Sequence, residues 1–191
     1  MRHAARELFC YFGPGSTSNI LPWSIVRSHA LIASVDGQWY ALPAESIAEV
    51  VHMPALSTTA GCPPLVEGFL NLRGSLAPVV SLRRLFSLGD RSPELYSPLI
   101  VLRPSGEGPV ALRVDSVDEV VVLPETPQQM RPLGPADSYN ACARYAFTQG
   151  DRDVVLLAPD LLFEAKERAC LADLRRDAQR RMEGLSRPAA E

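Results

Sequence analysis

Cys10, Cys62, Cys142 and Cys170 are the thiols available for metal ligation, disulfide pairing or nucleophilic attack, and His3, His29 and His52 are the imidazoles that could assist them. No two of the cysteines form a C-x-x-C pair, so neither a zinc site nor a disulfide framework follows from their spacing. No histidine stands four residues from another potential ligand on a plausible helix, and no metal or cofactor is assigned. A G-x-S-x-G elbow and a Cys-His pattern are both missing. The segment GPGSTSN lacks the G-K-[ST] ending that gives a phosphate-cradling loop its lysine and hydroxyl. The acid pairs Asp118-Glu119 and Asp151 with Asp153 fall in turn-like or strand-edge contexts, so no catalytic residue is assigned and an enzyme is not expected.

The more unusual polar residues lie inside an apolar run. GFLNLRGSLAPVVSL, Gly68 to Leu82, carries Asn71 and Arg73 between leucines, with Gly74 closing the first half. Five guanidinium donors in a rigid fork can satisfy carbonyls or a carboxylate within the fold and hold a junction, or stay accessible to a partner. A structural arginine that also shapes an interface is the favoured of the two. Gly68 and Gly74 would permit positive φ or close backbone approach at the two ends of this strand.

The surrounding elements must position these residues. The 191 residues are 47% apolar, enough for one good core or two small ones. Nineteen Lys and Arg against 22 Asp and Glu give a net charge of -3, which leaves no general attraction to nucleic acid or anionic lipid. No run reaches the roughly 20 apolar residues of a membrane span, and LFCYF is too short for a signal-peptide core, so a cytoplasmic protein without membrane insertion is expected. Residues 1-28 read as an irregular arm that could dock through Phe9, Tyr11, Phe12 and Trp23. From His29, HALIASV and QWYALP flank Asp36-Gly37, a strong two-residue hairpin signal. IAEVVHM, GFLNLRG, LAPVVSL, PLIVLR, PVALRVD, SVDEVVVL and DVVLLA follow as short strands bounded by Pro, Gly, Asp or Ser, the texture of a small barrel or sandwich.

Beyond Asp160 the period changes. Leu171, Leu174, Ala178, Met182 and Leu185 recur at helical spacing over about 22 residues, or roughly 33 Å of helix. Arg175, Arg176, Arg180 and Arg181 interleave with Asp173, Asp177 and Glu183 on the other face. That face is expected to be solvated with pairs such as Asp177 to Arg181, although a helix packed on a partner remains the functional alternative. Gly184 and Pro188 are the expected stop signals, and SRPAAE reads as a frayed tail.

In this order the D-G hairpin, IAEVVHMP, PPLVEGFLNLRGSLAPVVSLRRLF, PLIVLR, ALRVDSVDEVVVLP, QQMRPL and VVLLAPDLLF resemble the CheW-type coupling proteins of bacterial chemosensory arrays, from about Leu31 to Phe163. The most specific piece is G-x-x-N-L-R-G-x-x-x-P-V-x-x-L. The resemblance implies an all-β fold with a C-terminal helix, built as two SH3-like five-stranded β-barrel subdomains packed together. The organisation is then a 1-28 arm, a 29-163 CheW-like domain and a 164-191 helix and tail. It further implies a non-catalytic adaptor, recruited from the cytoplasm to membrane-associated arrays. Such adaptors bind the cytoplasmic tip of methyl-accepting chemoreceptors and the regulatory domain of a CheA-type histidine kinase.

Ile47 and Glu49 fall at family positions on the receptor-facing side, and Gly68, Asn71, Arg73 and Gly74 in the segment associated with coupling. For Ile47 and Glu49 the alternatives are core packing and an edge-strand charge. Their spacing of two would place both on one strand face. The chain departs from the family at Ser116, where a turn glycine is usual, in SYNACARYAFTQGD, and at Ala158-Pro159-Asp160, which favours a divergent member serving a specialised array. The competing reading is a small-barrel module for a ligand or nucleic acid, whose expected mark is a basic groove with exposed aromatics. The 7% aromatic content speaks against it.

Overall fold

The computed structural model describes residues 28-58, 62-89, 91, 96-104, 108-124, 129-135 and 139-185. Residues 1-27 of the 1-28 arm, with its proposed aromatic anchors, and the tail after residue 185 lie outside the described residues. Among the described residues eleven strands form two sheets. β1 (His29–Val35) and β2 (Gln38–Pro43) pair as the expected hairpin, with Asp36 and Gly37 both at positive φ in the turn. The chain then builds the second sheet from β3 (Ile47–His52), β4 (Val66–Leu72), β5 (Ser75–Ser81), β6 (Pro98–Leu102) and β7 (Val110–Arg113). It returns to the first sheet with β8 (Ser116–Val122), β9 (Arg131–Pro132), β10 (Ala143–Gln149) and β11 (Arg152–Leu157). The strand orders are β8-β1-β2-β11-β10-β9 and β3-β6-β7-β5-β4. Because β9 is a two-residue pairing, each sheet has five full strands, as two SH3-like subdomains require.

Alternation along the strands produces three interiors. Ile32, Ala41, Phe147 and Val154 fill the first barrel, and Leu70, Val79, Leu99 and Val101 fill the second. Residues on the opposite faces of the same strands, among them Leu31, Val35, Leu42, Val80, Ile100 and Leu112, meet between the sheets in the largest cluster. The barrels therefore share a core, and neither sheet buries all of its apolar surface alone.

A one-turn helix α1 (Leu82–Leu85) follows β5, its start capped by Ser81 Oγ accepting from Arg84 N. The long helix α2 (Ala165–Leu185) continues through Gly184, which does not end it. Its stripe is used inside the molecule: Leu171 joins the shared core, while Leu174, Ala178 and Met182 pack over Phe69 and Leu76. On the outer face the ion pairs run Asp173 to Arg176 and Asp177 to Arg180, three residues apart, and the expected Asp177-Arg181 pair is not formed. Both side chains of each pair are well exposed, so these contribute little to stability. No helix among the described residues is long and apolar enough to cross a membrane.

Candidate protein-interaction site

The hairpin between β4 and β5 turns on Arg73 and Gly74, at φ 52° and 94°, with Leu72 and Ser75 paired on either side. Positive φ at both central residues is the requirement of the two-residue type I′ turn. Glycine takes it freely; arginine does so at a cost of about 1 kcal/mol or more. Asn71 supports the turn, its Oδ1 accepting from Gly74 N at 2.7 Å. The Arg73 side chain is exposed, and no hydrogen bond or ion pair holds it among the described residues. Helix α2 braces this tip from the side. Gln179 accepts from Leu76 N at 3.0 Å and donates to Gly74 O at 2.9 Å, so one side-chain amide substitutes for a neighbouring strand. Asn71 Nδ2 reaches Met182 Sδ at 3.6 Å.

Gly68 is buried, not part of an accessible surface. A Cβ there would stand 2.9 Å from both Leu56 Cβ and Ser57 O, because the Ser57 segment adds a bridge to Phe69 along the edge of β4. Close approach is thus the reason for this glycine. The register slips between Val66 and Gly68, leaving Glu67 as the extra residue of a bulge. Its side chain accepts two hydrogen bonds from Arg113, Nε to Oε2 at 2.6 Å and Nη2 to Oε1 at 2.7 Å. Both side chains are buried, at 6% and 3% exposure.

The junction role considered for Arg73 belongs to Arg83. Placed by α1, this buried side chain donates from Nη2 to Asp36 Oδ1 and from Nη1 to Asp115 Oδ2, each at 2.7 Å. It thereby ties the second barrel to the β1–β2 turn and to the loop where the chain returns to the first. Burial works against its charge, but the two carboxylates prevail and hold its pKa above the ordinary arginine range. Asp115 also accepts from Asp36 N at 2.8 Å, and Ser34 and Ser116 share a hydroxyl contact of 2.7 Å. Ser116 has no positive φ, so the missing family glycine removes nothing the backbone needs. Neither Arg83 nor the Arg113-Glu67 pair was anticipated from sequence. The local signal for the first was Ser81 capping L-R-R-L; nothing local marks the second.

β3 is an edge strand of its sheet among the described residues. Ile47 pairs with Leu102 and Glu49 with Val101, so Ala48 is bulged out and the two side chains do not share a face. This corrects the expectation from their spacing. Ile47, half-buried, packs toward the shared core, whereas Glu49 is exposed beside Val50. At the other barrel, burial of the Tyr40 hydroxyl, with Cys142 and Asp36 nearby, raises its pKa. The hydrogen bond to Asp118 raises that of Arg152, whose guanidinium also lies 4.2 Å above the Trp39 ring. The hydrogen bond to Glu164 likewise raises Lys166. Among the described residues no group of three or more His, Cys, Asp or Glu could hold a metal.

The two features left at the surface are a braced hairpin tip and an edge strand. Residues 29-167 match the CheW-like domain family. The chemotaxis protein CheW of Klebsiella aerogenes is 26% identical over 157 residues, covering 81% of this chain and 92% of that protein. The crystal structure of the scaffolding protein TtCheW from Thermoanaerobacter tengcongensis has the same fold, with a TM-score of 0.64 at 24% identity, over 75% of this chain and 92% of that one. With two barrels, a shared core and a match over most of its length, the chain belongs to the CheW-like domain family, the adaptors and scaffolds of chemotaxis.

Proposed function

We propose that the chain is a non-catalytic coupler that joins methyl-accepting chemoreceptors to a CheA-type histidine kinase at cytoplasmic arrays. The hairpin tip with Asn71, Arg73 and Gly74 serves as one contact and the β3 edge with Ile47 and Glu49 as another; Gly68 shapes the hairpin from beneath. The observation that carries this reading is Arg73: a bulky residue in a left-handed conformation, on a braced tip, with its donors unpaired among the described residues. Strain that serves no internal contact among the described residues supports a role for what this turn presents outward. An edge strand with one exposed carboxylate adds unpaired backbone groups for a partner strand or loop.

The test is co-sedimentation with membranes carrying chemoreceptors, followed by capture on the purified kinase regulatory domain. Wild type is expected in both fractions, and Arg73→Asn in at least one of them at strongly reduced level. Retention of folded wild type in neither fraction defeats the proposal.

A further inference from the structure

One cleft away from the hairpin and β3 combines cations, an apolar wall and an unpaired donor. It encloses about 50 Å³ where the first half of α2 passes the β6–β7 connection. Among the described residues, Arg103, Arg168 and Arg175 line it against one carboxylate residue, Asp160, and Pro109 and Phe163 are among its apolar walls. Arg168 is engaged, donating from Nη1 to Asp160 O at 2.6 Å. Arg175 is not. A Cβ at residue 108 would stand 2.6 Å from its Nε and 2.7 Å from its Cζ, so the guanidinium lies against the bare backbone of Gly108. Its Nε is buried and has no acceptor among the described residues.

A buried donor left unpaired is costly, more so on a cation, and marks Arg175 as a guanidinium whose charge no described residue neutralises. Gly108 covers the Nε and, with the helix, holds the guanidinium in place, so little conformational freedom remains to be lost when its other donors pair with a ligand. We propose that this cleft binds a carboxylate, the glutamate or aspartate side chain of an acidic segment on a partner protein, with Arg175 as its anchor and Arg103 flanking. The enclosed volume suits one such group and is far below that of a nucleotide pocket. Asp160 in the wall disfavours a phosphate dianion more than a single carboxylate. The site does not depend on which partners the hairpin and β3 engage.

The test is NMR of the arginine Nε–H resonances of the full chain during titration with acetyl-Glu-Glu-Glu-amide. Parallel arms use acetyl-Gln-Gln-Gln-amide and inorganic phosphate. The Arg175 signal is expected to shift saturably with the glutamate peptide, about fivefold or more weakly with phosphate, and not at all with the glutamine peptide. Arg175→Lys, which keeps the charge and loses the fork, should weaken peptide binding about fivefold; should that variant not fold, the wild-type titrations decide alone. An unmoved Arg175 signal in folded protein overturns the proposal, and tighter binding of phosphate overturns its carboxylate assignment. Glu107 directly precedes Gly108 in the sequence. If Glu107→Gln alone moves the Arg175 signal as far as saturating peptide does, the chain supplies its own ligand and the proposal falls.

Discussion

Arg73 and Arg83 stand ten positions apart, on either side of β5, and their surroundings assign them opposite tasks. Arg73 pays a conformational cost on an exposed turn and finds no internal partner, whereas Arg83 is closed in by two carboxylates from the other barrel. Arg73→Asn replaces a residue strained at positive φ by one that tolerates it, so stability should hold or rise by about 0.5–1 kcal/mol while partner capture falls. Equal losses of stability and capture in chemical denaturation and co-sedimentation would return Arg73 to a structural role. Arg83→Lys keeps the charge but can no longer span both acids, and it should lower the melting temperature where Arg73→Lys does not. The Glu67-Arg113 pair allows a magnitude. Both groups are buried and joined by two hydrogen bonds, so Glu67→Ala strands a charge in the interior and should cost about 3–5 kcal/mol by urea unfolding. A loss below about 1 kcal/mol would mean that water reaches the vacated site and solvates Arg113.

At the scale of elements, α2 sets the clearest expectation. Its apolar stripe could have served a partner, but it covers Phe69 and Leu76 and sends Leu171 into the shared core. Truncation after Glu164 therefore uncovers several side chains at about 1.5–3 kcal/mol each, a sum comparable to the whole stability of a small domain. The truncated chain should be insoluble or molten by near-ultraviolet circular dichroism, and a sharp, native-like melt would contradict this. Gln179→Ala is the mild counterpart: it leaves Leu76 N–H and Gly74 O without their amide and should cost about 1–2 kcal/mol. The strand sequence was largely legible, because Asp36-Gly37 fixes one hairpin and alternation with Pro and Gly punctuation marks the remaining long strands. β10 was not, since Arg144, Tyr145 and Thr148 dilute the alternation of ARYAFTQ. The bulge at Ala48 escaped for a different reason: its register depends on β6, some fifty residues later, and so the faces of Ile47 and Glu49 could not be read from their spacing. The same holds for Arg83, whose partners lie 47 and 32 positions away. Local chemistry singled out the Asn71–Gly74 segment but favoured a structural Arg73; only the fold shows that residue at an exposed hairpin turn and the clasp at Arg83.

For the molecule as a whole, the order of the strands matters more than any single contact. The first barrel is begun by β1 and β2 and completed only by β8 to β11, after all of the second has been made. Each barrel alone would expose apolar surface, because Leu31, Val35 and Leu42 on one side and Val80, Ile100 and Leu112 on the other bury one another. Arg83 then locks the two by salt bridges that cross the boundary. The two barrels should consequently unfold together, in one calorimetric transition whose van't Hoff and calorimetric enthalpies agree. Residues 44–115 expressed alone expose half of the shared core and should lack the dispersed amide spectrum of a folded domain. Two separable transitions, or a well-dispersed spectrum from that fragment, would show the barrels to be independent. Arg83→Ala provides the intermediate case: if the shared core is the main source of cooperativity, the transition moves to lower temperature and stays single, and if the clasp is, it splits. A single transition has a functional corollary, since contacts on the hairpin of one barrel and on surfaces of the other would then bear on one cooperative unit.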